Sequence, residues 1–386
     1  MRVSLLVVCS AWIAMATMAL KGRDLFCKAR KHSPRGPALS SHPHIRRPER
    51  QGVPMPEAPP SLAPNGKRHL HEPMLDLYYR PEMAVTFDPA GNFSRSPSKP
   101  RRFVAHLGAS TLAPFVTTRG DFPPLTRDDL TLAHTEEYVD AFLAGRAPRA
   151  TGSGLAWTPE FADTVRYTNG SLVAAVRGAL ASPARIALSP TSGFHHARPT
   201  GGSGFCTFSG QVIAGVIAWR EAGARGAWID LDAHFGNSIE DSRRAFPELA
   251  EAIPAGCNIN PSGHGPDYLA DLERQLAMLG ARVLAGEIQY VAVAHGADSH
   301  RDDDLGGQCS TDEWLAASHL VYGAVGAWSQ ALGRPVPLVL ALFGGYRHDA
   351  PESVLELHLA DTAIALGTLA PVTMTYVPHV VSKAGD

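Results

Sequence analysis

The chain has 386 residues, of which 45% are hydrophobic and 19% charged, enough for one large α/β domain or two small ones. A formal net charge of −2 gives no overall basic footprint, so direct nucleic-acid binding is not expected. The five cysteines, Cys9, Cys27, Cys206, Cys257 and Cys309, form no CxxC pair, and their odd number argues against a disulfide framework; reduced thiols fit a cytoplasm.

Val3 to Leu20 is almost wholly apolar, and three readings fit it: a signal peptide, a membrane anchor or an overextended gene start. The flank that follows carries Lys21, Arg23, Lys28, Arg30, Lys31 and Arg35. Positive charge there favours keeping the downstream chain in the cytoplasm. The expected location is therefore cytoplasmic, with an anchored or exported form left open; membrane contact is expected only if residues 3–20 are retained. Residues 21–73 read as a linker, rich in Pro, Arg, His and Ser from Ser33 to Glu72 and disordered by composition. The catalytic domain is expected to span residues 74–386.

Met74-Leu-Asp-Leu-Tyr-Tyr reads as a first strand. Thr126 to Gly145 begins with a helix-start signal and continues with apolar residues at helical spacing. His134 within it is expected to be structural, as a lone histidine on a helix usually is. A further helix ends at Ala181, and Arg185 to Pro190 reads as a short buried strand. Strands are then predicted at Ala227–Ala233, Ala255–Ile259, Tyr290–His295 and Leu338–Phe343. Helices are predicted at Gln211–Ala222, Asp267–Leu279, Thr311–Leu332 and Glu352–Leu369. Short apolar strands alternating with longer helices predict an α/β fold: a single-domain three-layer open sandwich, its mostly parallel central sheet covered by helices on both faces. In such sheets the site lies at the carboxyl ends of the strands.

One of those ends carries unusual chemistry. Ala227 to Asn237 reads Ala-Trp-Ile-Asp-Leu-Asp-Ala-His-Phe-Gly-Asn. On a strand, Asp230, Asp232 and His234 would share one face. Three polar groups there are costly to bury unsatisfied. A carboxylate and an imidazole at this spacing can hold a divalent metal, and zinc suits the O/N donors; a hydrogen-bonded Asp/His pair without metal fits these residues equally well.

Three other stretches lie at predicted strand ends: Ser-Gly-Phe-His-His-Ala-Arg-Pro-Thr-Gly-Gly-Ser-Gly-Phe-Cys-Thr-Phe from Ser192, Ala-His-Gly-Ala-Asp-Ser-His from Ala294, and Leu-Phe-Gly-Gly-Tyr from Leu342. In this order, the four motifs resemble the zinc-dependent histone deacetylase family, including bacterial deacetylase-like amidohydrolases and acetylpolyamine deacetylases, from about Asp76 onward. The resemblance implies the arginase/deacetylase fold and hydrolysis of an N-acyl amide, with an acetylated lysine or acetylated small amine as substrate. It also implies one zinc per chain on Asp232, His234 and Asp298, and allows a structural monovalent cation.

By the same resemblance, His195 and His196 flank the reacting water, Asp230 orients His195, Asn237 partners His196, and Tyr346 hydrogen-bonds the substrate carbonyl. Gly204 and Phe205 line a substrate channel, and Cys206 packs beside the site. Ser94 to Leu107 resembles the family's substrate-proximal loop and first helix. Two departures stand out. Phe235 replaces the usual His or Gln, which implies altered packing rather than lost metal. The segment 238–257 is short where the family supplies a strand, a loop and a second aromatic wall, and Phe246 is its one candidate aromatic. Two alternatives follow: a catalytically impaired binding or scaffold module, and a binuclear manganese ureohydrolase, for which the later acidic run is missing.

Overall fold

Seven parallel strands form one sheet in the computed structural model, which describes residues 74–370, 372 and 376–383. The strands are β1 (Leu75–Tyr78), β2 (Val116–Arg119), β3 (Ile186–Ser189), β4 (Gly226–Asp230), β5 (Asn258–Ile259), β6 (Tyr290–Ala294) and β7 (Leu338–Ala341), in the order β2-β1-β3-β7-β6-β4-β5. The four strands β3, β7, β6 and β4 are neighbours and wholly buried. Apolar runs such as Tyr290-Val-Ala-Val-Ala are what strands covered on both faces require.

The helices are α1 (Lys99–Ala109), α2 (Arg127–Leu130), α3 (Glu136–Leu143), α4 (Pro159–Ala181), α5 (Gly210–Ala222), α6 (Ser238–Ala245), α7 (Pro266–Leu284), α8 (Thr311–Leu332) and α9 (Pro351–Leu369). Helix α4 packs on α5, while α7, α8 and α9 form a row that continues onto α1. The predicted bounds of α8 hold because its ends are chemically marked. Ser310 and Glu313 cap it reciprocally, and Gly333 at φ 64° closes it in the left-handed conformation. This is the predicted α/β open sandwich.

Where the elements differ, tertiary contacts are the cause. The predicted helix from Thr126 is two short helices, α2 and α3. Between them Thr135 N–H is drawn to Pro199 O at 2.9 Å, and buried His134 bridges Arg198 O and Ser209 N–H. His134 is thus structural, tying this segment to the tandem-histidine loop. The half-exposed edge strand β2 was not predicted, its Val-Thr-Thr-Arg offering little apolar signal. Strand β4 ends at Asp230, three residues earlier than expected.

The expected location is corrected. Among the described residues no helix is long and apolar enough to cross a membrane, so none of them supplies the anchor that was left open. The two longest helices show why: α4 carries Glu160, Asp163, Arg166 and Arg177, and α8 interrupts its apolar residues with Ser318, His319, Ser329 and Gln330. The apolar stretch 3–20 and the linker 21–73 lie outside the described residues.

Candidate active site

The last rung of the central sheet is a row of residues in register: Ser189 with Ala341, Ala341 with Ala294, and Ala294 with Asp230. Four chain segments leave the sheet from this row. They carry His195 and His196 after β3, Tyr346 after β7, Asp298 after β6, and Asp232 and His234 after β4. Residues scattered over 150 positions therefore meet at one end of four adjacent strands.

The grouping of Asp230, Asp232 and His234 does not come from strand alternation. Asp232 and His234 lie on the loop beyond Asp230. The loop is bent by the Asp232 carboxylate, which accepts His234 N–H at 3.0 Å and Gly344 N–H at 2.8 Å. Asp298 sits in a 3-10 turn whose N-cap is Gly296, so its carboxylate is not spent on capping; it accepts Ala233 N–H at 3.2 Å instead. Donor atoms of Asp232, His234 and Asp298 all lie within 4.8 Å of one another. His234 Nδ1 is 3.0 Å from Asp232 Oδ1 and 3.1 Å from Asp298 Oδ2. A Cβ at Gly344 would stand 2.2 Å from Asp298 Oδ2 and 2.6 Å from Asp232 Oδ2, so glycine there is needed for the approach.

The electrostatics of this trio suit a divalent cation. Both carboxylates are buried. Burial and the neighbouring Asp232 charge push the Asp298 carboxyl up to about 7. Hydrogen bonds to Asp232 and Asp298 raise His234 to about 10. Two carboxylates and an imidazole nitrogen converge on one point with too little positive charge of their own, and this O/O/N set is one zinc accepts.

The tandem histidines have different partners. His195 Nδ1 lies 2.8 Å from Asp230 Oδ2, and its Nε2 is 3.7 Å from Asp232 Oδ1. Burial opposes charge on His195, but Asp230 and Asp232 outweigh it and raise the ring to about 9. His196 Nδ1 meets Asn237 Oδ1 at 3.0 Å, and its ring lies 4.1 Å from that of His195. Burial, then the His195 charge, lower His196 to about 4. One ring is kept charged and its neighbour neutral, the separation that acid and base roles need.

Tyr346 follows Gly344-Gly345, its ring 6.5 Å from that of His234. Its backbone N–H donates to Asp303 Oδ2 at 2.7 Å, which fixes the turn. Burial, with Asp232 and Asp298 nearby, raises the phenol well above its ordinary value, so it stays a donor. Gly204 and Phe205 occupy a tight turn closed by Ser203 and Cys206, at φ 51° and 60°. A Cβ at Gly204 would fall 2.7 Å from His196 Cδ2. Phe205 and Phe343 are the non-glycine residues at positive φ among the described residues. Both border the site, each holding strain on the order of 1 kcal/mol that the surrounding contacts must offset. Cys206 is buried and its thiol is pushed up by burial, which suits packing rather than nucleophilic attack.

The two departures resolve differently. Phe235 is 63% exposed and leaves the Asp232/His234/Asp298 group intact. Phe246 is buried in the core and lines no channel. The short segment instead forms α6 and a 3-10 turn before the two-residue edge strand β5.

Sequence reasoning missed two residues. Phe93 lies nearly parallel to Phe205, with centroids 6.3 Å apart and 11° between planes, and 6.5 Å from Tyr346. His348 holds it in place, its ring edge-on to Phe93 at 4.6 Å and its Nε2 2.9 Å from Phe93 O. Lys99 is buried, donates to Phe343 O at 2.5 Å, and lies 6.0 Å from the Tyr346 ring. Burial lowers it to about 8 against the pull of Asp298, Asp232 and Asp303. In the sequence Lys99 is one basic residue in Ser-Lys-Pro-Arg-Arg, with nothing to show that it alone turns inward.

Known proteins resemble this chain in sequence and in fold. Residues 94–249 match the family model described as "Histone deacetylase domain". The chain is 28% identical over 213 residues to "Acetoin utilization protein AcuC" of Bacillus subtilis, covering 47% of this chain and 55% of that protein. It is 26% identical over 311 residues to "Putative histone deacetylase 2" of Caenorhabditis elegans, covering 70% and 58%. To "Histone deacetylase 8" of Xenopus tropicalis it is 32% identical over 80 residues, 21% of each chain. The matches thus span from about a fifth to just over half of these relatives. In fold it is similar to the solved HDA15 HD domain, with a TM-score of 0.57 and 18% identity over 78% of this chain and 90% of that one.

Proposed function

Since the chain belongs to the histone deacetylase family, we propose that it is a zinc-dependent amidohydrolase that removes an acyl group, specifically acetyl, from a lysine side chain or a small amine. Residues 74–386 form the catalytic domain in this reading. The observation that carries it is the convergence of Asp232, His234 and Asp298 beside a charged and a neutral histidine and a protonated tyrosine. A zinc ion held by the three would polarise the amide carbonyl and ease deprotonation of water.

The remaining roles belong to the side chains. Neutral His196, its Nδ1 engaged by Asn237, takes the water proton at Nε2 and returns it to the departing nitrogen. Charged His195, held by Asp230, stabilises the negative charge that develops. Tyr346 donates to the carbonyl oxygen as it becomes an oxyanion. The products are acetate and a free amine. Phe205 and Phe93 form the apolar walls for the substrate's alkyl chain, Phe93 taking the part that the short 238–257 segment lacks.

The test is metal content and turnover of the full chain on an acetyl-lysine peptide and acetylpolyamines, with Asp298→Ala beside wild type. About one zinc per chain and loss of both metal and turnover in the variant are expected. Zinc without cleavage of any acyl-amine would favour the binding-module alternative, and no zinc would sink the reading.

A further inference from the structure

Asn237 is ambiguous as a partner for a catalytic base. Its amide has an oxygen end and an NH2 end of nearly the same shape. With oxygen toward His196 Nδ1, that nitrogen must carry the proton, and Nε2 keeps its lone pair. With NH2 toward His196, Nδ1 must accept, the proton moves to Nε2, and the ring can no longer act as a base there. Nothing within Asn237 itself chooses between the two.

Asp241 makes the choice. Asn237 is the N-cap of α6, and Asp241 lies one helical turn later, joined to it by the backbone bond from Asp241 N–H to Asn237 O at 3.0 Å. Residues four apart on a helix share a face. The Asp241 Oδ2 atom accepts Asn237 Nδ2–H at 2.6 Å, and Oδ1 accepts Arg244 at 2.9 Å. An ionised carboxylate has no proton to offer, so only the NH2 end of Asn237 can face it. The oxygen end is then left for His196, as observed at 3.0 Å.

We propose that Asp241 is a positioning residue for His196, acting through Asn237: it fixes the amide orientation that places the His196 proton on Nδ1 and keeps Nε2 free. The assignment rests on the amidohydrolase reading for the role of His196 as base, while the tautomer itself does not depend on any reaction.

The swap of the two residues separates this role from a merely structural one. In Asp241→Asn, Arg244 keeps the oxygen of residue 241, and its NH2 group turns toward Asn237. The Asn237 amide must then flip and present NH2 to His196. In Asn237→Asp/Asp241→Asn, residue 237 accepts from both neighbours and the original pattern returns. The readout is 15N NMR of selectively histidine-labelled full chain, with turnover on acetyl-lysine and acetylpolyamines measured alongside. The expected results are an Nδ1–H His196 in wild type, a shift toward Nε2–H with about a tenfold loss of turnover in Asp241→Asn, and recovery of both in the double variant. An unchanged His196 tautomer in folded Asp241→Asn, or a double variant no better than the single one, would overturn the proposal. If no variant, wild type included, cleaves acetyl-lysine or an acetylpolyamine, the amidohydrolase reading fails while the tautomer result still decides the role of Asp241.

Discussion

Asp76 and Asp298 are both buried aspartates in or just beyond parallel strands, and their surroundings treat the charge in opposite ways. Asp76 on β1 is gripped by Arg185 at 2.6 and 2.7 Å and by Arg119 at 2.9 Å. Burial alone would raise its carboxyl, but the two guanidiniums outweigh burial and hold it below the usual range. Asp298 meets burial and a second carboxylate, and rises to about 7. A charge that the protein neutralises with its own cations ties edge strands together. Asp298 instead shares one imidazole, His234, with a second carboxylate, which in the proposed reading is the place of a metal ion. Burial is common to both, so the surrounding charges separate a scaffold residue from a site residue.

The comparison can be broken or sharpened by substitution. The largest effect is expected at the site end: Tyr346→Phe should lower kcat by about 100- to 1,000-fold, the range for losing an oxyanion donor, with thermal stability and zinc content unchanged. Unchanged turnover at equal zinc would remove Tyr346 from the chemistry.

At the other end, Asp76→Ala should leave kcat intact and destabilise the fold by about 2 kcal/mol, the arginines being partly exposed. The pH sense follows from the depressed carboxyl. A group whose folded pKa lies below its unfolded value stabilises above the unfolded pKa, near 4, and loses that contribution as pH falls through the folded value. Denaturant melts of wild type and variant should therefore differ at neutral pH and converge in acid. A gap that persists or widens in acid would contradict the ion-pair account.

The smallest effect is expected at Phe93→Ala, a rise in KM of about fivefold, or about 1 kcal/mol of lost aromatic contact, with kcat retained. A fall in kcat with unchanged KM would move Phe93 from the channel wall to support of Tyr346.

Much of this was legible in the chain itself. Apolar strands alternating with longer helices gave the parallel sheet, because a strand buried on both faces has to be apolar along its length. Asp232 and His234 stood out as costly polar groups at the end of an apolar run, whereas the tandem histidines, Asp298 and Tyr346 stood out only because the four motifs together resemble the histone deacetylase family. Strand alternation, however, misstated how they meet: Asp232 and His234 group through a loop bent by hydrogen bonds from His234 and Gly344, the latter 112 positions away from Asp232. The inward turn of Lys99, the approach of Phe93 to Phe205, the burial of Phe246 and the grip of Asp241 on Asn237 left no mark in local pattern. Periodicity reports which way a residue faces along its own element. Which partner waits there, and whether it brings opposite charge, the same charge or an aromatic face, is fixed only when distant segments pack together.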